Sequence, residues 1–162
     1  MKVLIVYSSK YGAATWAAEE MKKNLEQSGE AECSLVNIRN QTPPSPDNYD
    51  GIILGSSVFA GQVNKKIITW GENHTAELKK KPLGLFVTCL ASGETAIGYI
   101  ESNFPPALLA HAKAKDSTGG LADFATFGWL DRFLLKNVAK LTETTDSRDP
   151  DRVKEFVQKF IQ

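Results

Sequence analysis

The sequence is poor in the features that would narrow its chemistry at once. It holds two cysteines, Cys33 and Cys89, far apart and without C-x-x-C or histidine-rich company. Neither a zinc site nor a disulfide framework is indicated, and both are expected as buried thiols. Its two histidines, His74 and His111, flank helix-like segments, where capping or surface roles are expected of them rather than catalysis. An excess of charge is missing too: 19 lysines and arginines face 19 aspartates and glutamates. That balance excludes a global field drawing the chain to nucleic acid, a membrane or acidic substrates, so any attraction must be local. The longest uncharged stretch, residues 51–64, falls well short of the ~20 apolar residues that cross a bilayer. Met1-Lys2 passes at once into a strand-like run, without the basic, apolar and small-residue order of a signal peptide. The expectation is a cytoplasmic chain, peripheral at the inner face of the membrane if it meets a membrane at all.

What is present is a regular alternation. With 162 residues, 42% of them hydrophobic, the chain suits a single domain over 1–162. Short β-branched runs, KVLIVY (2–7), ECSLVNI (32–38), GIILGS (51–56), PLGLFVTC (82–89) and the weaker AKDSTGGL (114–121), alternate with helical patterns. The first, third and fourth runs are apolar on both faces, as central parallel strands are; the second alternates, as an edge does. Helices are predicted over 15–27, 63–78, 97–111 with an interruption or restart at Pro105-Pro106, and 150–161 with Asp149 as N-cap and Pro150 in the first turn. This rhythm predicts an α/β fold, a doubly wound five-stranded parallel sheet of order 2-1-3-4-5. In such sheets ligands bind off the carboxyl ends of the strands, which directs attention to the loops after strands one, three and four.

Each of those loops is small, polar and glycine-bearing. Ser8-Ser9-Lys10-Tyr11-Gly12-Ala13-Ala14-Thr15 runs from strand to helix with almost no loop, so unpaired amides and the positive helix end meet in the turn, where a phosphate fits. It carries neither the Gly-Lys-Ser/Thr of a P-loop nor G-x-G-x-x-G. Gly55-Ser56-Ser57-Val58-Phe59-Ala60-Gly61-Gln62 offers a hydrogen-bonding rim and, in Phe59, either an apolar face for a flat ligand or a core residue. Thr88-Cys89-Leu90-Ala91-Ser92-Gly93-Glu94-Thr95 is again open to a heterocycle edge; Tyr99 behind it either stacks on a ring or packs. A phospho-receiver would need an acid at the end of strand three, where Ser56-Ser57 stands. No metal site is indicated.

Together these residues resemble the flavodoxin-like family that binds flavin mononucleotide (FMN), and within it the menaquinone-dependent protoporphyrinogen dehydrogenase group. LIVYSSKYG, NYDGIILGSSVFAGQVNKKI and GWLDRFLLK carry the similarity over nearly the whole chain. The resemblance implies that Ser9, Lys10, Tyr11, Gly12 and Ala13 wrap the flavin phosphate. Ala14 stands where the family usually has threonine, with Thr15 one step later. Ser57, Val58, Phe59, Ala60 and Gly61, with Thr88, Cys89, Leu90, Ala91 and Ser92, then frame the isoalloxazine. Gly61 is the expected tuning residue, its small size letting the Ala60–Gly61 peptide turn a carbonyl toward N5 of the ring. No catalytic acid–base pair is expected, since the flavin carries the chemistry. The family's porphyrinogen-oxidising members suggest a basic segment after strand four, whereas residues 92–99 hold no lysine or arginine.

The function expected is that of an FMN-dependent oxidoreductase acting on a small, porphyrinogen-like molecule with quinone as acceptor. The alternative is an electron carrier between redox partner proteins. Neutral charge favours the enzyme, because carriers that dock on basic partners tend to be acidic. From Trp129 to Leu141, an apolar line of Leu130, Leu134 and Val138 runs beside a cationic line of Arg132, Lys136 and Lys140. It is expected to pack on the sheet with a solvated basic flank, the alternative being peripheral contact with an anionic membrane.

Overall fold

The computed structural model describes residues 1–162 except 28, 30, 138, 139 and 141. Five parallel strands, β1 (Lys2–Ser8), β2 (Glu32–Asn37), β3 (Gly51–Ser57), β4 (Leu83–Thr88) and β5 (Ala114–Ser117), form one sheet in the order β2-β1-β3-β4-β5. The expected order and class are therefore met. β1, β3 and β4 are buried almost throughout, while only Cys33 of β2 is fully covered. The continuous apolar runs thus lie at the centre and the alternating one at an edge.

Alternation of side chains divides the core into two layers. Leu4, Val6, Ile52, Leu54, Leu85 and Val87 face one way, against Ile67 and Trp70 of α2 (Lys65–Asn73), Leu78 of α3 (Thr75–Leu78), Ile100 of α4 (Gly93–Asn103) and Leu108 of α5 (Pro106–His111). Val3, Ile5, Ile53 and Phe86 face the other, against α1 (Ala13–Gln27) and the last helix over Pro150–Ile161. The last helix has the predicted bounds, with Asp149 accepting from the amides of Asp151 and Arg152 at 3.1 Å each.

Several boundaries differ from those predicted. α1 opens at Ala13, two residues early, because Ala13, Ala14, Ala17 and Ala18 form its buried face. Alanines allow close approach to the sheet but write a faint apolar pattern. The segment 63–78 is two helices, broken at His74 (φ −115°, ψ 19°). There Nδ1 meets the Trp70 carbonyl at 2.8 Å and Thr75 Oγ1 donates to the carbonyls of Gly71 and Glu72 at 3.0 Å. His74 is thus a helix-end residue, and His111 Nε2 meets the Lys81 carbonyl at 2.9 Å. α4 begins at Gly93 rather than Ile97, and the extended Phe104 and Pro105 separate it from α5. The predicted fifth strand is cut short after Ser117. Gly119 (φ 76°) turns the chain away, and β6 (Leu121–Ala122) pairs antiparallel with β7 (Thr145–Asp146) instead.

The largest correction concerns α6 (Trp129–Asn137), which has no buried residue and so does not pack on the sheet as predicted. Val138 and Leu141 lie outside the described residues. The last helix is α7 (Pro150–Ile161).

One contact at the sheet's centre is tight. A Cβ on Gly55 would stand 2.0 Å from Cε1 of Phe86, its register partner on β4. Gly55→Ala should therefore overpack the core and destabilise the protein by about 2 kcal/mol. The measurement is the urea unfolding midpoint. A midpoint equal to that of the native chain would show that the ring does not lie on Gly55, and adding Phe86→Leu should restore part of the loss.

Candidate functional site

The three loops singled out in the sequence meet at the carboxyl edge of the sheet. In the first, Ser9 Oγ accepts from the amide of Gly12 at 3.1 Å. Asn37 at the end of β2 clamps the same turn, its Oδ1 accepting from Ser9 N at 3.3 Å and its Nδ2 donating to Ser9 O at 3.0 Å. Gly12 holds φ 97°, a conformation that strains any residue with a Cβ. Helix α1 starts at once. The amides of Ala13, Ala14 and Thr15 have no intrahelical acceptor and take no other partner among the described residues.

The second loop is a two-residue hairpin. Phe59 and Gln62 exchange backbone hydrogen bonds of 3.0 Å, and Ala60 and Gly61 between them both have positive φ, 49° and 75°. That combination defines the type I′ turn. Asn103 of α4 braces it, donating to Gly61 O at 3.1 Å and accepting from Val63 N at 3.0 Å. The third loop is tied to the second by Thr88 Oγ1, which donates to Ser57 Oγ at 3.0 Å, and by Val58 N, which donates to Thr88 O at 3.0 Å.

Between the loops lies a cavity of about 390 Å³, within the range of small-molecule sites. Of the predicted residues, Lys10, Tyr11, Ala13, Ser57, Val58, Phe59, Thr88, Cys89 and Leu90 line it. Ser9 and Gly12 shape the first turn from behind, Ala14 is wholly buried against the core, and Thr15 is half-buried. Ala60 and Gly61 sit at the hairpin tip. Ala91 and Ser92 lie outside the cavity wall, and Tyr99 packs beneath the tip, 3.8 Å from where a Gly61 Cβ would stand.

The wall also contains residues that the sequence reading missed. Gly120, Leu121, Ala122, Phe127, Asp131 and Leu135 form a fourth side, and Arg39 and Asn64 complete the rim. Gly119-Gly120 was the one available signal, since two adjacent glycines fit a departure from the sheet better than its continuation. Gly120 leaves room for Cys89, whose backbone would stand 2.6 Å from a Cβ there. Asp131 fastens this side to the first turn. Lys10 Nζ donates to its carboxylate at 2.7 Å and the Tyr11 hydroxyl donates to the same oxygen. The Tyr11 ring stands edge-on to Phe127, centroids 4.5 Å apart.

Neither cysteine is chemically poised. Burial pushes the Cys33 thiol up to about 11 and raises that of Cys89, which meets Ser117 Oγ at 3.4 Å. Both are protonated at neutral pH, as expected of buried thiols. Among the described residues no group of His, Cys, Asp and Glu is placed to hold a metal ion.

Residues 4–149 match the model of a flavodoxin domain. The chain belongs to this flavodoxin family. Protoporphyrinogen IX dehydrogenase [quinone] of Escherichia coli strain K12 is 21% identical over 154 residues, covering 91% of this chain and 84% of that protein. Among solved structures, oxidised flavodoxin 1 from Bacillus cereus superposes with a TM-score of 0.61 at 15% identity, over 99% of this chain and 97% of that one. A short-chain flavodoxin associated with a non-canonical PDU bacterial microcompartment gives 0.65 at 13% identity, over 99% and 97%. At these identities the structures share the fold. Flavodoxins are FMN-dependent redox proteins, so the cofactor expected from the sequence is the one this family uses.

The hydrogen bond from Lys10 holds the Asp131 carboxyl below its ordinary 3.8, and the same bond raises Lys10 above 10.5. A depressed carboxyl contributes stability above 3.8 and loses it as pH falls through the folded value; a raised lysine contributes below 10.5 and loses it as pH climbs through its own. The clasp is thus intact throughout neutral pH. An NMR titration of the Asp131 carboxyl carbon should give a midpoint below 3.8. A midpoint at or above that value would show that Lys10 does not hold it in solution.

Proposed function

We propose that this chain binds FMN in the cavity and works as an FMN-dependent oxidoreductase, taking electrons from a porphyrinogen-like small molecule and passing them to a quinone. The observation that carries the reading is one continuous cavity with two chemically different ends. At one end stand the first turn and the free amides of α1; at the other, Ser57, Phe59, Thr88 and Leu90. The donor set fits a phosphate ester, since backbone amides at a helix start bind anions without needing a cationic side chain. That independence matters because Lys10 is already engaged by Asp131. Alanine at position 14 lacks the hydroxyl that the family usually supplies, leaving backbone amides and Ser8 to do the holding.

Bound there, FMN supplies reversible acceptance of electrons. The protein's residues orient it and shield it. Phe59, more than a third exposed, offers its ring on the cavity wall, and Ser57 and Thr88 offer hydroxyls. Gly61 tunes it: the Gly61 carbonyl is held by Asn103, whereas that of Ala60 takes no hydrogen bond among the described residues and is free to turn.

The name of the 21% identical E. coli relative supports the porphyrinogen and quinone parts of this reading. So does α6. Trp129 (77% exposed), Leu130, Phe133 (62% exposed) and Leu134 lie open on a helix that also carries Arg132 and Lys136. This amphipathic surface suits peripheral contact with a membrane, where a lipid quinone would be met. No described helix is long and apolar enough to cross one.

Titration of the apo-protein with FMN should quench flavin fluorescence saturably, and Phe59→Ala should weaken binding by roughly 1 kcal/mol, about fivefold. A protein that leaves added FMN free would end the proposal. Turnover separates enzyme from carrier: a carrier reduced by a candidate donor shows only stoichiometric reduction in the presence of quinone. Gly61→Ala has room for its Cβ but an unfavourable φ of 75°, so it should cost roughly 1 kcal/mol of stability. It should also shift the flavin midpoint potentials, and unchanged potentials in a redox titration would remove Gly61 from the tuning role.

A further inference from the structure

A second groove adjoins the cavity where α2 begins. It runs between the segment 38–43 after β2 and the side of α2 that carries Lys65, Lys66, Thr69, Trp70 and Asn73. Its charged side chains are Arg39, Lys65 and Lys66, all exposed, and no acidic side chain lines it. None of the three side chains takes an ion pair or hydrogen bond among the described residues. In a chain of zero net charge, three free cations around an acid-free groove make a local positive field that the total conceals.

The groove is also built. Ile38 and Trp70, both less than a tenth exposed, form an apolar floor beneath the cations. Asn64 Oδ1 accepts from Lys66 N at 2.9 Å, fixing the start of α2 so that both lysines leave from its first turn. Arg39 N donates to Asn37 Oδ1 at 3.2 Å, so the clamp that holds the cavity's first turn also anchors the backbone of Arg39. Most telling is continuity. Arg39 lines both the groove and the cavity, and Asn64 of the cavity wall immediately precedes Lys65 of the groove.

We propose that this groove anchors the carboxylate of a small molecule that exchanges electrons at the cavity. Arg39 at the junction receives the carboxylate, Lys65 and Lys66 neutralise what extends beyond it, and the ring of the same molecule lies at the cavity rim beside Asn64. A guanidinium binds a carboxylate through two parallel N–H donors, and lysines add charge without fixed geometry. The apolar floor suits the methylene stem of such an arm. This inference rests on the reading that the cavity is the redox site. It adds the class of reactant, a carboxylate-bearing anion, and it locates cationic groups that residues 92–99 do not supply.

The test uses the full chain with FMN added and two probes sharing one ring: a naphthoquinone bearing a propionate side chain, and its methyl ester. Affinities are read from amide shifts of the 15N-labelled protein. The acid should bind about tenfold more tightly than the ester at low salt, with shifts at Arg39, Lys65, Lys66 and Thr69, and the preference should shrink as ionic strength rises. In Arg39→Gln/Lys65→Gln/Lys66→Gln the preference should fall below about twofold. Equal affinities for acid and ester in the native chain, or a preference that survives in the triple variant, would overturn the proposal. Shifts at the groove from a polyglutamate peptide but none from the propionate would also overturn it, assigning the groove to an acidic protein instead. The same spectra recorded without FMN keep the two readings apart. A protein that takes no FMN yet prefers the acid at these residues would refute the redox site and leave the anion groove standing.

Discussion

Burial of β1, β3 and β4 on both faces is the constraint on which everything else in this protein rests. Strands covered above and below have no solvated side, so polar side chains collect where the strands end. The register aligns those ends: Ser8 stands opposite Ser56, and Ser57 opposite Thr88. Ser8, Ser9, Ser56 and Thr88 are buried hydroxyl residues at one edge of an otherwise apolar sheet. They hold the loops together, through Ser9 to Gly12, Thr88 to Ser57 and Ser56 to Asn64. The cavity is therefore a product of sheet packing rather than of loops placed independently, and disturbing the Gly55–Phe86 contact would disturb its walls.

Legibility from sequence followed the strength of the physical signal. The central strands were visible because three continuous apolar runs bounded by Gly, Ser or Pro have few other readings. The last helix was visible to the residue because Asp149-Pro150 is a start signal with a defined geometry. Nine predicted site residues line the cavity because they follow directly from where strands end. What failed was whatever depended on weak or non-local signals. Alanines hid the first turn of α1; Thr75 and His74 broke α2 from α3 through side-chain bonds to carbonyls that no periodicity announces. The wall from Gly120 to Leu135 is brought in by β6 and β7, strands of two residues each, too short to leave a pattern. Arg39 and Asn64 were invisible for a related reason: each is an ordinary surface residue until the sheet order places it beside the cavity.

The Lys10–Asp131–Tyr11 cluster shows how α6, the outer part of the fourth side, is retained without burial. α6 has no buried side chain, so hydrophobic packing contributes little to its position. An ion pair with one partner half-exposed is weakly stabilising on its own. Here it is joined by a phenol hydrogen bond and by the Tyr11–Phe127 ring contact, so several small terms act on one segment. The consequence is a wall that is held but not locked. Its carboxylate also neutralises Lys10 of the first turn, which leaves the backbone amides there, with Arg39 on the rim, for anion recognition.

Zero net charge is the most misleading number in the sequence. It conceals a neutralised pair at Lys10 and Asp131 and an acid-free cationic rim at Arg39, Lys65 and Lys66, with the remaining charges of both signs spread elsewhere. The exposed apolar residues are just as unevenly placed, with four of the largest on α6. A single cavity thus has one rim that favours anions and another segment that favours apolar surroundings. A redox site that must exchange electrons with both a charged molecule and a lipophilic one needs that division, because one uniform entrance would desolvate the first or repel the second. A carrier docking on one face of one partner needs a single matched patch instead. The distribution of charge and apolar area, more than either total, is what favours an enzyme over a carrier on this flavodoxin frame.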